Sequence, residues 1–198
     1  MEKVNNLTLE EAKDRAFKIG VEGEKFRHSC CQACFNAISE TLGFKNSLIF
    51  KCVSALGGGG GTCDGSCGSY SAGLVAFSYF FGRDYNLWEQ CKTERKASML
   101  GQILFDKFIN VFGSVICKDI QIKKFGRRFN FNKMTSEEAE LFEKMGGHEY
   151  ICTTIVGLGA VWAVEILWNE IPKDKDLTKI SDQKELLSKF NGTVKDIV

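Results

Sequence analysis

The sequence predicts an all-α protein, a multi-helix, bundle-like single domain. Three observations carry this expectation. Apolar residues recur at helical spacing along most of the chain, and no run alternates apolar with polar residues over the length of a strand. A single proline, Pro172, interrupts the 198 residues, so long helices are permitted. Hydrophobic residues make up 44% and charged residues 26%, the balance of a globular chain with a sizeable core rather than of a disordered one.

Thr8 with Glu11 reads as a capping box that opens a helix through about Lys18. Ser29 with Gln32 reads as a second, followed by the stripe Cys31, Cys34, Phe35, Ile38 and Leu42, ending near Gly43. Residues 47–56 form a short helix candidate, and the five glycines 57–61 break it. Ser66 is expected to cap the next helix, in which Cys67, Tyr70, Leu74, Phe77 and Phe81 share a face and which Gly82 ends. Residues 97–112 are amphipathic, with Leu100, Leu104, Phe105, Phe108, Ile109 and Phe112 apolar. Residues 121–133 are polar and basic without a period. Thr135 with Glu138 caps a helix to about Met145, Gly146 and Gly147 break it, and an apolar helix follows from Tyr150 to Asn169. The domain is expected over residues 1–170, with a polar C-terminal extension over 171–198 that carries a helix near 182–190.

Charge and hydropathy narrow the function. The formal net charge of +1 gives no field that recruits nucleic acid or an anionic membrane. The apolar stretch 150–168 contains Glu165 and is expected to be a buried helix, with no membrane span. Residues 1–6 lack an apolar targeting core, so a cytoplasmic location is expected. There the nine cysteines, an odd number, should be reduced thiols suited to metal or redox chemistry. The glycine run lacks the Lys-Ser/Thr pair of a phosphate loop, because Thr62-Cys63-Asp64 follows Gly61.

The cysteines carry the remaining signal. Cys31 and Cys34 form a CxxC, yet both lie on the apolar stripe, where a thiol also serves as core filler. Cys30 with Cys34, and Cys63 with Cys67, stand four apart and could each share a face. Four cysteines fall at expected helix starts: Cys30, Cys67, Cys117 and Cys152. Unpaired amides and the helix dipole favour a thiolate there. His28 and His148 sit beside two of them and read as solvated loop residues or as ligands. The basic stretch 123–128 reads as a solvated face or a docking patch for an acidic partner.

These blocks resemble the C_GCAxxG_C_C family of redox-active proteins. Ser29-Cys30-Cys31-Gln32-Ala33 resembles its first cysteine block. The glycine run with Cys67-Gly68-Ser69-Tyr70-Ser71-Ala72-Gly73 resembles its CGAxxG core. Phe112-Gly113-Ser114 before Cys117, and Cys152 at the start of a long helix, resemble the last two blocks. Ser69 replaces an alanine, five cysteines are extra, and 121–147 is longer than expected. The family's domain is similar to one in split-Soret cytochromes, which are dimers carrying haem and an iron–sulfur centre; no haem attachment motif is present here. The resemblance implies that Cys30, Cys67, Cys117 and Cys152 bind an iron–sulfur cluster, with electron transfer to a redox partner and a homodimer as further expectations. Cys63, Cys34 and Cys31 are additional metal or redox candidates. Two alternatives stand beside this reading. One is a metal-free thiol–disulfide oxidoreductase in which Cys67 is resolved by Cys63 or Cys30. The other is a zinc-stabilised helical module.

Overall fold

The computed structural model describes residues 7–171; the helix expected near 182–190, and nearly all of the polar extension, lie outside them. Among the described residues there are nine α-helices: α1 Leu9–Arg27, α2 Cys30–Leu42, α3 Ser47–Cys52, α4 Gly68–Phe81, α5 Tyr85–Glu89, α6 Lys96–Phe112, α7 Cys117–Phe125, α8 Ser136–Lys144 and α9 Cys152–Glu170. A 3₁₀ turn covers Ser54–Leu56, and a π-helical turn, Gly147–Ile151, runs straight into α9. No strand forms among these residues, only an isolated antiparallel bridge between Ser66 and Ile116. The all-α expectation holds.

Helix α9 is the axis of the bundle. It packs on α1, α2, α4 and α6, while α2 also packs on α1 and α4. Together with its π turn it is long and apolar enough to cross a membrane, but 56% of its apolar window is buried inside the protein. Its one acidic residue within that apolar stretch, Glu165, bonds Lys107 of α6 at 2.9 Å. The α1–α9 contact depends on small residues. Ala12 and Ala16 are fully buried, and a Cβ at Gly20 would meet the Gly157 Cα at 3.2 Å. The first helix runs well past Lys18, to Arg27, and its small-residue face lets backbone approach backbone at Gly20 and Gly23.

The Thr8–Glu11 and Thr135–Glu138 capping boxes form as read, and Gly43 and Gly82 cap α2 and α4. Other expectations need correction. Ser29 forms no capping bond: it and His28 both adopt positive φ, which turns the chain sharply between α1 and α2, and Gln32 reaches the Phe50 carbonyl instead. Cys67 itself, rather than Ser66, is the N-cap of α4. Ile109 lies toward solvent, 36% exposed, because α6 buries the line Leu100, Leu104, Phe108 and Phe112. The aperiodic stretch 121–133 begins inside α7, where Phe125 meets Phe129 and Phe142 to form a second small aromatic core. The short helix α5, capped by Asp84, has no counterpart among the expectations.

Tight backbone packing at α9 has a measurable consequence. A Cβ on Gly157 would come within 2.7 Å of the Phe17 ring. Alanine there also gains helix propensity, so the informative change is larger. Gly157→Leu is expected to destabilise the protein by about 2–3 kcal/mol in urea unfolding, the usual cost of overpacking.

Candidate functional site

Four chain segments bring Cys30, Cys67, Cys117 and Cys152 to one place. Cys30 is the first residue of α2, Cys67 the N-cap of α4, Cys117 the first residue of α7, and Cys152 the first residue of α9. Two backbone bonds clamp the middle pair: the Cys67 amide donates to the Val115 carbonyl at 2.8 Å, and the Cys117 amide to the Gly65 carbonyl at 2.7 Å. Gly68 sets how closely α4 meets α2. A Cβ there would lie 2.5 Å from the Cys30 sulfur and 2.9 Å from the Cys31 amide nitrogen. All four cysteines line a single cavity of about 360 Å³, together with Glu24, Gln121 and His148. Ile120, Phe125, Ile155 and Val156 supply apolar wall. Cys67 is buried, and the other three are half-buried.

The glycine run borders this cavity as an ordered left-handed turn. Residues 58–62 all have positive φ, from 58° to 87°. The turn is closed by bonds from the Gly60 amide to the Gly57 carbonyl and from the Gly65 amide to the Gly59 carbonyl, at 3.1 and 2.9 Å. A Cβ on Gly59 would fall onto the Asp64–Gly65 peptide. Asp64 is in turn ion-paired with Arg128. Asparagine and glycine tolerate this region of φ, whereas most residues do not. The order has a chemical use, because the Gly58 amide, together with that of Gly68, favours the charged form of the Cys30 sulfur.

Burial dominates the electrostatics. It pushes the Cys30 thiol up to about 12, with the Glu24 carboxylate adding to the rise and the Gly58 and Gly68 amides opposing it. Burial likewise raises Cys67 and Cys152 well above the ordinary thiol range, and it raises Cys117. The Ser69 and Tyr70 amides favour the Cys67 thiolate without completing a capping hydrogen bond. The Gln121 side-chain amide does the same for Cys117 across 3.4 Å. The expected activation of first-turn thiols is therefore overturned in the metal-free protein: desolvation outweighs the amides. Cys152 also lacks free amides, since the π turn before it continues the helix and its own amide donates to Gly147.

The remaining named residues fall elsewhere. Cys31 and Cys34 are fully buried in the core, and Cys34 exchanges hydrogen bonds with Ser69. Cys63 is exposed on the glycine turn, where its thiol donates to the Gly61 carbonyl. The His28 and His148 rings lie 4.2 Å apart. His148 bonds Glu143 through Nδ1 at 2.5 Å, and its Nε2 stands 4.0 Å from Glu24.

Two cavity residues have no place in the sequence reading, Glu24 and Gln121. Gln121 spans Cys117 and the Phe129 amide, which it accepts at 2.6 Å. Glu24 is 4% exposed, and burial raises its carboxyl to about 7. It continues the four-residue spacing of Ala12, Ala16 and Gly20, a charged group where the stripe calls for a small one. That signal disappears when the helix is ended at Lys18.

As a test of fit, no three His, Cys, Asp or Glu side chains among the described residues stand within reach of one metal ion. The four thiols are gathered around a volume rather than around a point.

A raised carboxyl stabilises the fold only while protonated. Its contribution is complete below the unfolded value of 4.5 and is lost as pH rises through about 7. In metal-free protein, Glu24→Gln should therefore gain on wild type as pH rises from about 5 to 8, by up to about 3 kcal/mol in urea unfolding. A difference that stays flat with pH would mean that the carboxyl titrates normally.

Residues 28–166 match the family described as "Putative redox-active protein (C_GCAxxG_C_C)". No curated protein and no solved structure matches the chain. The matched span contains all four cavity cysteines, the glycine run and most of the bundle, and the chain belongs to the C_GCAxxG_C_C family of redox-active proteins.

Proposed function

We propose that the protein is an electron carrier that holds an iron–sulfur cluster through Cys30, Cys67, Cys117 and Cys152. The observation that carries this reading is the convergence of four thiols, from four separate segments, on one cavity of about 360 Å³. Four thiolates are the usual complement for a [2Fe–2S] or a [4Fe–4S] cluster. Such a cluster supplies the one-electron couple that the cavity's own side chains lack.

The chain's own groups fit that role. The amides of Gly58 and Gly68 at Cys30, those of Ser69 and Tyr70 near Cys67, and the Gln121 side chain at Cys117 all favour sulfur in its charged form. Hydrogen bonds of this kind raise a cluster's potential, and the apolar walls limit its hydration. The raised thiols mean that loading releases protons, so affinity increases with pH.

Two observations weigh against the alternatives. A single zinc needs every sulfur about 2.3 Å from one point, and no three donors among the described residues stand that close. A metal-free dithiol enzyme needs a thiolate near neutral pH, and burial holds Cys30 and Cys67 far above it. Nine free cysteines suit a reducing cytoplasm, in which a separate redox partner would take up the electron.

Anaerobically purified protein should contain iron and acid-labile sulfide and absorb in the visible. Cys67→Ser should lose at least about tenfold of that iron, the scale on which structural metal affinity depends on its ligands. Colourless wild-type protein after cluster reconstitution overturns the reading. In metal-free protein at pH 7, Cys30, Cys67 and Cys152 should be alkylated at least about tenfold more slowly than exposed Cys63. A fast Cys67 would instead favour the dithiol enzyme.

A further inference from the structure

One buried group in the cavity has a carboxylate oxygen without a hydrogen-bond partner. Glu24 lies on the inner face of α1, 4% exposed, and lines the cavity with the four cysteines. Its Oε2 has no hydrogen-bond partner, and its Oε1 has only the His148 Nε2 at 4.0 Å, beyond hydrogen-bond distance. His148 itself is committed to Glu143 at 2.5 Å. Lys25, the neighbouring cation on α1, points to Glu149 instead. A buried carboxyl left this way is costly, and in native proteins an unpaired buried oxygen commonly marks an absent ion or water. Glu24 is also not a space-filling accident of α1. The preceding positions of its stripe are Ala12, Ala16 and Gly20, each packed against protein, and only at Glu24 does the stripe open onto the cavity.

We propose that Glu24 is an oxygen ligand of the metal centre, reaching it from the Cys152 side of the cavity. This rests on the reading of the cavity as a metal centre. The Glu24 Oε1 stands 4.0 Å from the Nε2 of His148, in the π turn that leads into Cys152, so the carboxyl lies on the Cys152 side of the cavity. A carboxylate is a harder donor than a thiolate and binds iron through oxygen without displacing the sulfur ligands of the other metal atoms. Coordination requires the carboxylate form, so any proton that the acid carries leaves as the iron–oxygen bond forms. Cys152 is the cysteine whose loss Glu24 can best cover, since both approach the same side and Cys152 has no free helix amides to hold its charge.

The test uses reconstituted full-length protein with four chains: wild type, Glu24→Gln, Cys152→Ser and the double variant. Glu24→Gln keeps the side-chain volume and removes an unpaired acid, so folding is retained, and circular dichroism checks all four. Iron and sulfide per chain are measured along with the electron paramagnetic resonance spectrum of the reduced centre. The expected result has two parts. Glu24→Gln keeps its iron but changes the spectrum, and Cys152→Ser keeps at least half of its iron while the double variant falls at least fivefold below it. A Glu24→Gln spectrum that superimposes on wild type overturns the proposal, and so does a double variant holding as much iron as Cys152→Ser. Wild-type protein that takes up no iron is a different failure: it overturns the metal centre itself.

Discussion

The approach of α4 to α2 at Gly68 is the contact on which the cavity depends. With no side chain there, the Cys67 end of α4 sits directly over the Cys30 end of α2, and the two sulfurs open into the same space. Any larger residue would push Cys30 aside or separate the helix starts. The other two cysteines are fixed to this junction from outside. The Ser66–Ile116 bridge and its flanking backbone bonds bring Cys117 in, while α9, wedged between α1, α2 and α4, brings Cys152. Small residues recur at each of these junctions for one reason: helix ends that must meet cannot each carry a side chain into the gap.

The same packing that gathers the thiols also neutralises them. A first-turn thiol in water gains from the amides around it, but here each sulfur has exchanged most of its solvent for protein. A few partly aligned amides recover only part of the hydration lost. The resulting cavity suits species that bring positive charge, because a cation restores what burial removed. It does not suit a nucleophile that must ionise unaided. Burial of Glu24 beside the sulfurs strengthens this bias, since a further acidic group raises the cost of any thiolate formed without a compensating charge.

Helices with a strong apolar face or a complete cap were legible in the sequence: α2, α4, α6 and α8, and the core of α9. Their limits come from local chemistry that a linear reading can follow, such as the Thr135–Glu138 box or Gly43 in the left-handed region. The far half of α1 was hidden because a face built from glycine and alanine has no hydropathy signal, although it brings the α1 backbone against that of α9 at Gly20 and Gly157. With it went Glu24. Helix α7 was missed for a related reason, since Ile120, Gln121 and Phe125 face inward from a segment that is otherwise charged. The four cysteines themselves could be singled out by order and position. Their electrostatic state could not, because it depends on how much protein covers each sulfur.

The glycine run shows how a sequence signal can be right about backbone freedom and silent about its purpose. Five consecutive residues in the left-handed region cannot be held by ordinary side chains, and Thr62 at the end of the run tolerates the conformation within a turn closed by hydrogen bonds. Flexible glycines would give up this order on folding at an entropic cost of roughly 1–2 kcal/mol for each residue. The structure offsets that cost with the backbone bonds of the turn and with the Asp64–Arg128 pair that ties it to the residues after α7. What the protein obtains is one amide, that of Gly58, which favours the charged form of the Cys30 sulfur. A side chain donor could occupy the same space only by filling the cavity that the four cysteines enclose. A backbone donor leaves it open, and this accounts for the placement of the glycines beside the cysteines rather than elsewhere in the loop.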